Sequence, residues 1–249
     1  MPPLRFSEVR KGVQALSSLY VERRREGGLA SRASEGAAKR AALATFYAPL
    51  HFLVAYAAAA RLAAPRARRV HDLGCGTGAA GAAVALALGA AAGGATPSVH
   101  GVDVSGFALA EWRATLRAFG LSGHARRGAL PAAFPERAGA EDVLVLGYVA
   151  NELGADARAA LLARLCAARG RGAGLLVLEP LARGIAPWWP DAARALAAHG
   201  VESLEIKLSV DRPEWIARLD DAAGLDHREI GARILAAPPA NARTVAHTA

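Results

Sequence analysis

Apolar residues recur at helical spacing at the start of the chain and then switch to short unbroken runs. Val13, Leu16, Leu19 and Tyr20 fall on one face of a helix predicted over 9–25. Gly27 and Gly28 break it, residues 31–35 form a polar joint, and helical patterning resumes over 37–64. That second helix is expected to bend at Pro49 and to stop before Pro65.

From Arg69 the texture changes to apolar runs alternating with alanine-rich helical stretches. Strands are predicted at 70–73, 99–104, 143–149 and 175–179, with a weaker one at 125–130. Helices are predicted from a glycine turn to about 88, and over 107–119 and 156–168. Beyond Pro180 an aromatic segment leads into a helix ending at His199. Further candidates are a strand at 204–210, a helix at 213–223, and strands at 229–236 and 243–247. Continuous apolar strands separated by helices point to an α/β protein whose parallel sheet is covered on both faces. The chain divides into an N-terminal helical cap over 1–65 and a sheet domain over 66–249.

Composition narrows this picture modestly. With 249 residues and 53% apolar content, a large core is available and wholesale disorder is excluded. Alanine fills about a quarter of the chain, and arginine outnumbers lysine 27 to 3. The net charge of +8 permits an anionic partner such as RNA without requiring one. The arginine runs at 23–25 and 66–69 read first as solvated faces. Cys75 and Cys166 are too few for a disulfide framework, and no Cys/His cluster has zinc spacing, so no metal site is expected. The first residues lack the apolar centre of a signal peptide, and a cytoplasmic location is expected. The uncharged stretch 41–60 is diluted by alanine and holds Pro49 and His51, so no membrane span is expected.

The central feature is Val70-His-Asp-Leu-Gly-Cys-Gly-Thr-Gly78, where the first strand hands over to a helix. Gly74, Gly76 and Gly78 let a ligand lie against the main chain at the carboxyl edge of the sheet. Gly74-x-Gly76-x-x-Ala79 also fits the looser dinucleotide pattern. Charge separates the two readings. Asp72, expected at the mouth of the crevice, repels a pyrophosphate and attracts a cation such as the sulfonium and ammonium of S-adenosyl-L-methionine. Asp103 ends the second strand, where a carboxylate can accept from both ribose hydroxyls of an adenosine cofactor.

Asp72-Leu-Gly-Cys-Gly-Thr-Gly78 resembles the first motif of class I S-adenosylmethionine-dependent methyltransferases, and Gly101-Val-Asp-Val-Ser105 resembles their second. The resemblance covers about residues 69–249. It implies a Rossmann-like sheet of seven strands, mostly parallel, with an antiparallel last strand. It further implies cofactor contacts from Asp72, Gly74, Cys75, Gly76, Gly78, Asp103, Val104 and Tyr148. Gly128-Ala-Leu130 lacks the acid that the family often offers to adenine, which leaves that contact to the backbone. A narrower likeness, carried by Tyr148-Val-Ala-Asn-Glu-Leu153 and Leu178-Glu-Pro180, is to small-subunit ribosomal methyltransferase-like proteins of the mitochondrial type; their cysteine cluster is missing here.

Methyl transfer needs alignment more than acid–base help, so catalytic candidates are few. Tyr148 and Asn151 follow the fourth strand on the same edge as Gly74. Asn151 either orients an acceptor or caps a helix. Glu179, ending the fifth strand, is either a base or the partner of an arginine. Tyr47 and His51 lie one helical turn apart and either close over the acceptor or pack in the core. Trp188 and Trp189 sit in a segment, about 181–211, read as a substrate-covering insertion; they form an aromatic wall or staple that segment down. Cys75 and His71 read as packed. The expected activity is methyl transfer to a small organic molecule, with RNA methylation or a non-catalytic relative of the ribosomal type as the alternative.

Overall fold

The computed structural model describes residues 5–22, 36–64, 66–182, 184 and 186–242. Two N-terminal helices, α1 (Phe6–Glu22) and α2 (Ala37–Ala59), precede the sheet. They approach closely because residue 12 is glycine: a Cβ there would collide with the carbonyl of Ala38. Within α2 the turn Leu43–Tyr47 widens, and the Ala48 amide reaches the Leu43 carbonyl. Pro49 explains this. It has no N–H for the Thr45 carbonyl and its ring would strike that carbonyl, so an extra residue in the turn makes room. The bend expected at Pro49 is thus a bulge one turn earlier in a continuous helix.

The strands are β1 (Arg69–Leu73), β2 (Ser98–Asp103), β3 (Gly123–Arg127), β4 (Asp142–Gly147), β5 (Gly174–Glu179), β6 (Glu202–Ser209) and β7 (Glu229–Ala237). Their order is β3-β2-β1-β4-β5-β7-β6, with β7 antiparallel to both neighbours and every other pair parallel. The helices are α3 (Ala79–Ala91), α4 (Gly106–Ala118), α5 (Ala155–Gly170), α6 (Trp189–Ala197) and α7 (Glu214–Ala223). This is the expected seven-stranded, mostly parallel α/β architecture.

Alternate strand residues feed two hydrophobic clusters. Val70, Val99, Val143 and Val145 pack with α1, α2, α3 and α4, and Leu144, Leu146, Leu175 and Val177 pack with α5 and α6. Each such side chain, fully buried, contributes about 1.5–3 kcal/mol. Phe46, Leu50 and Val54 of α2 belong to the first cluster, so the described N-terminal residues share one core with the sheet.

Boundaries differ from expectation at β3 and β4. The third strand is Gly123–Arg127, set by its pairing with Val99–Asp103. The fourth stops at Gly147 because Tyr148 turns to φ +62°, outside strand geometry. The strand expected at 243–247 lies outside the described residues. Residues 181–211 supply α6 and the edge strand β6.

Candidate functional site

The strand order reverses between β1 and β4, and loops leaving neighbouring strands in opposite directions open a crevice at their carboxyl ends. Here it measures about 210 Å³ and is lined by the turns after β1, β2 and β4 together with Leu43, Tyr47, Ala48 and His51 of α2. The bulge in α2 includes Leu43 and Tyr47, so the proline that distorts the helix also shapes the crevice wall.

Gly74, Gly76 and Gly78 adopt φ of +70°, +49° and +83°. Their glycines are needed for different reasons. A Cβ on Gly74 would run into Val149, and one on Gly78 would press on Trp112 at 3.0 Å, whereas Gly76 faces open space. The first two pack the turn against its neighbours. Gly76 leaves room for a ligand. The amides of Gly74 and Cys75 both donate to the Val102 carbonyl at 2.9 Å, tying the turn to β2.

Asp103 is fixed by its neighbours: Oδ2 accepts from the Gly76 amide at 2.9 Å and Oδ1 from the Ser105 amide at 2.8 Å. Each oxygen keeps a lone pair for a further donor. Asp72 lies at the floor of the crevice, 1% exposed, and not at its mouth as expected. Its Oδ2 has no hydrogen-bond partner. Burial, with Asp103 adding to it, pushes this carboxyl up to about 8, while the Trp112 indole and the Gly81 amide pull the other way. A buried carboxyl oxygen without a partner costs about 1–3 kcal/mol, and a cation brought beside it recovers that cost.

The opposite wall is aromatic. His51 stacks on Tyr148 with ring centroids 4.1 Å apart, and Tyr47 lies 6.1 Å from His51. The Tyr47 hydroxyl donates to the Val13 carbonyl at 3.4 Å, linking α2 to α1. Burial, reinforced by His227, lowers His51 to about 4, so its ring is neutral at pH 7. Burial also raises both tyrosines, which keep their protons.

Glu179 and Asn151 come together outside the crevice lining. Glu179 is fully buried and accepts from the Asn151 backbone amide at 3.2 Å and from its side-chain amide. The Trp188 indole donates to Asn151 Oδ1 at 2.8 Å. This chain of bonds fixes the loop that carries Tyr148. Trp189 is buried beneath β6, donating to Ser203 Oγ at 3.2 Å. Neither tryptophan lines the crevice. Cys75 does line it, its thiol raised by burial, and Val104 stands at the rim. His71 bonds to Asp142 at 3.1 Å, on the sheet and away from the crevice.

Sequence reasoning passed over two residues here. Glu152 lines the crevice, yet it reads as an ordinary first-turn acid of a helix. Gly81 interrupts the alanine run of α3, and a Cβ there would sit 2.5 Å from Asp72 Oδ2. A glycine inside an alanine-rich helix was the available signal.

A solved O-methyltransferase family protein from Burkholderia thailandensis superposes with a TM-score of 0.58 over 94% of this chain and 73% of its own, at 16% identity. The fold is that of a class I methyltransferase. Weaker superpositions include a TehB-like S-adenosylmethionine-dependent methyltransferase from Corynebacterium glutamicum, with 19% identity, 74% of this chain, 87% of its own and a TM-score of 0.45. A precorrin-6y C5,15-methyltransferase from Geobacter metallireducens matches at 12% identity, 74% and 87%, with a TM-score of 0.48. No protein-family model and no curated protein matches the sequence. The residues present suit S-adenosylmethionine: an unpartnered buried carboxyl oxygen, a glycine left open and an anchored acid all face one crevice.

Proposed function

We propose that the chain is an S-adenosylmethionine-dependent methyltransferase acting on a small organic acceptor. The observation that carries this reading is Asp72, a buried carboxyl at the crevice floor with an unpartnered oxygen. It is unsuited to a pyrophosphate and suited to an ammonium or sulfonium. In this reading Asp72 attracts the positively charged methionyl end, and Asp103 accepts from the ribose hydroxyls. The main chain of Gly74–Gly78 lies along the cofactor, and Val104 and Leu130 flank adenine. When bound, the cofactor supplies an electrophilic methyl carbon whose bonding pair returns to sulfur as the acceptor's lone pair forms the new bond. The protein's part is to align the acceptor, exclude water and receive a proton where the acceptor carries one.

The size of the acceptor is inferred from closure by α2, which places Tyr47 and His51 over the crevice. RNA is the second reading, favoured by the net charge of +8. Against it, the described lining residues include no lysine or arginine to meet a phosphate.

Calorimetry with S-adenosylhomocysteine and with NADH tests the cofactor assignment. Binding of the first and not the second is expected, with about 2.7 kcal/mol of added stability at ~100 times the dissociation constant. Binding of NADH alone, or of neither, overturns the reading.

A further inference from the structure

The crevice has a charge pattern that the cofactor does not use up. Three carboxyl groups line it: Asp72 on the floor, Asp103 beside the glycine turn, and Glu152 after β4. Asp72 and Asp103 have assigned tasks. The Glu152 carboxyl accepts no hydrogen bond and forms no ion pair with any described residue. It stands in the same loop region as Tyr148, whose ring stacks on the neutral imidazole of His51. On the other side Arg127 donates to the Val104 carbonyl and Arg40 lies 5.2 Å from the Phe107 ring. Behind the Glu152 loop Arg158 donates to the Ala150 carbonyl at 3.4 Å and lies over the Trp188 ring, outside the crevice lining.

We infer that the methyl acceptor is an amine, held as its ammonium by Glu152 against the Tyr148–His51 stack. This rests on the methyltransferase reading and narrows it. An unpaired acid and aromatic rings lining one crevice are the groups that recognise organic cations, through a charge-assisted hydrogen bond and the negative ring faces. A carboxylate or phosphate acceptor would meet the Glu152 carboxyl, with no lysine or arginine among the described lining residues to offset it. A neutral alcohol would leave Glu152 unpaired.

Glu152 also has a proton-accepting task. The incoming R–NH3+ gives one proton to the Glu152 carboxylate, and the lone pair thus freed on nitrogen forms the new bond. The product departs as R–NH2+–CH3, and Glu152 passes its proton to water when the crevice opens. Burial, with Asp103 adding to it, raises this carboxyl to about 7, closer to an amine than an exposed glutamate stands.

Three probes of one shape test the inference: 2-phenylethylamine, 2-phenylethanol and phenylacetate, titrated calorimetrically into protein saturated with S-adenosylhomocysteine. The amine is expected to bind at least tenfold more tightly than the other two. Glu152→Gln should remove that preference while changing S-adenosylhomocysteine affinity less than threefold, and an unchanged melting temperature certifies its fold. Equal, absent or carboxylate-preferring binding overturns the inference, as does a preference that survives Glu152→Gln. Loss of cofactor affinity in Glu152→Gln assigns Glu152 to the cofactor's own ammonium and also overturns it. Failure of the wild-type protein to bind S-adenosylhomocysteine is a different result, one that removes the methyltransferase reading itself.

Discussion

Gly81→Ala separates a helix-propensity effect from a site effect. In the interior of an exposed helix, replacing glycine by alanine gains about 1 kcal/mol. In α3 the new Cβ would lie 2.5 Å from Asp72 Oδ2, 2.6 Å from its Cγ and 2.8 Å from its Cβ, all inside van der Waals contact. Overpacking of this kind costs about 1–3 kcal/mol, so the net effect is expected between neutral and about 2 kcal/mol destabilising. The larger signal is in binding. Displacing Asp72 loses a charge-assisted contact of about 1.5–3 kcal/mol, which weakens S-adenosylhomocysteine by about 10- to 150-fold. Urea melts and calorimetry on Gly81→Ala and on the double variant Asp72→Ala, Gly81→Ala read both quantities. In the double variant the clash is gone, and the propensity gain should reappear relative to Asp72→Ala alone. A single variant stabilised by the full 1 kcal/mol with unchanged affinity would refute the argument.

Three further outcomes are expected. His51 is lowered from 6.5 to about 4, so between those values the unfolded chain binds a proton that the folded one refuses; stability is complete above pH 6.5 and falls as pH drops toward 4. His51→Gln should remove about 2–3 kcal/mol of that fall in urea melts compared at pH 7 and 4.5. Asp220, fully buried, accepts from the His227 amide and ring nitrogen, each at 2.6 Å, and from Arg212. Asp220→Ala leaves the partly buried Arg212 with only Asp221, at 3.7 Å, and strands the His227 amide, and should cost about 2–4 kcal/mol at pH 7. Glu179→Ala strands the Asn151 amide and should cost about 1–3 kcal/mol, while moving S-adenosylhomocysteine affinity less than Asp72→Asn does, because Glu179 stands behind the crevice wall.

Legibility followed physics closely. Asp142–Gly147 and Gly174–Glu179 read as strands because interior parallel strands are buried on both faces and tolerate only apolar residues. Edge strand β3, Gly-His-Ala-Arg-Arg, has no such pattern, and its position came out two residues early. The glycine turn and both aspartates were readable, since positive φ and close approach restrict residue type. Depth was not: nothing in Asp72 itself tells floor from mouth. The wall built by α2 was half visible. Tyr47 and His51 share a face, but the helix is apolar nearly all round, so periodicity could not say which face met the crevice. Glu152 escaped notice because a first-turn acid is common for helix reasons alone.

The bulged helix α2 is at once core and wall. Phe46, Leu50 and Val54 fasten it to the sheet cluster, while Leu43, Tyr47 and His51 face the ligand space from neighbouring turns. A shortened chain beginning at Arg66 would therefore not be a smaller version of the same fold. It would bare the apolar flank of α3 to water, invite aggregation and leave the crevice without one of its sides, so expression trials should keep the first sixty-odd residues attached.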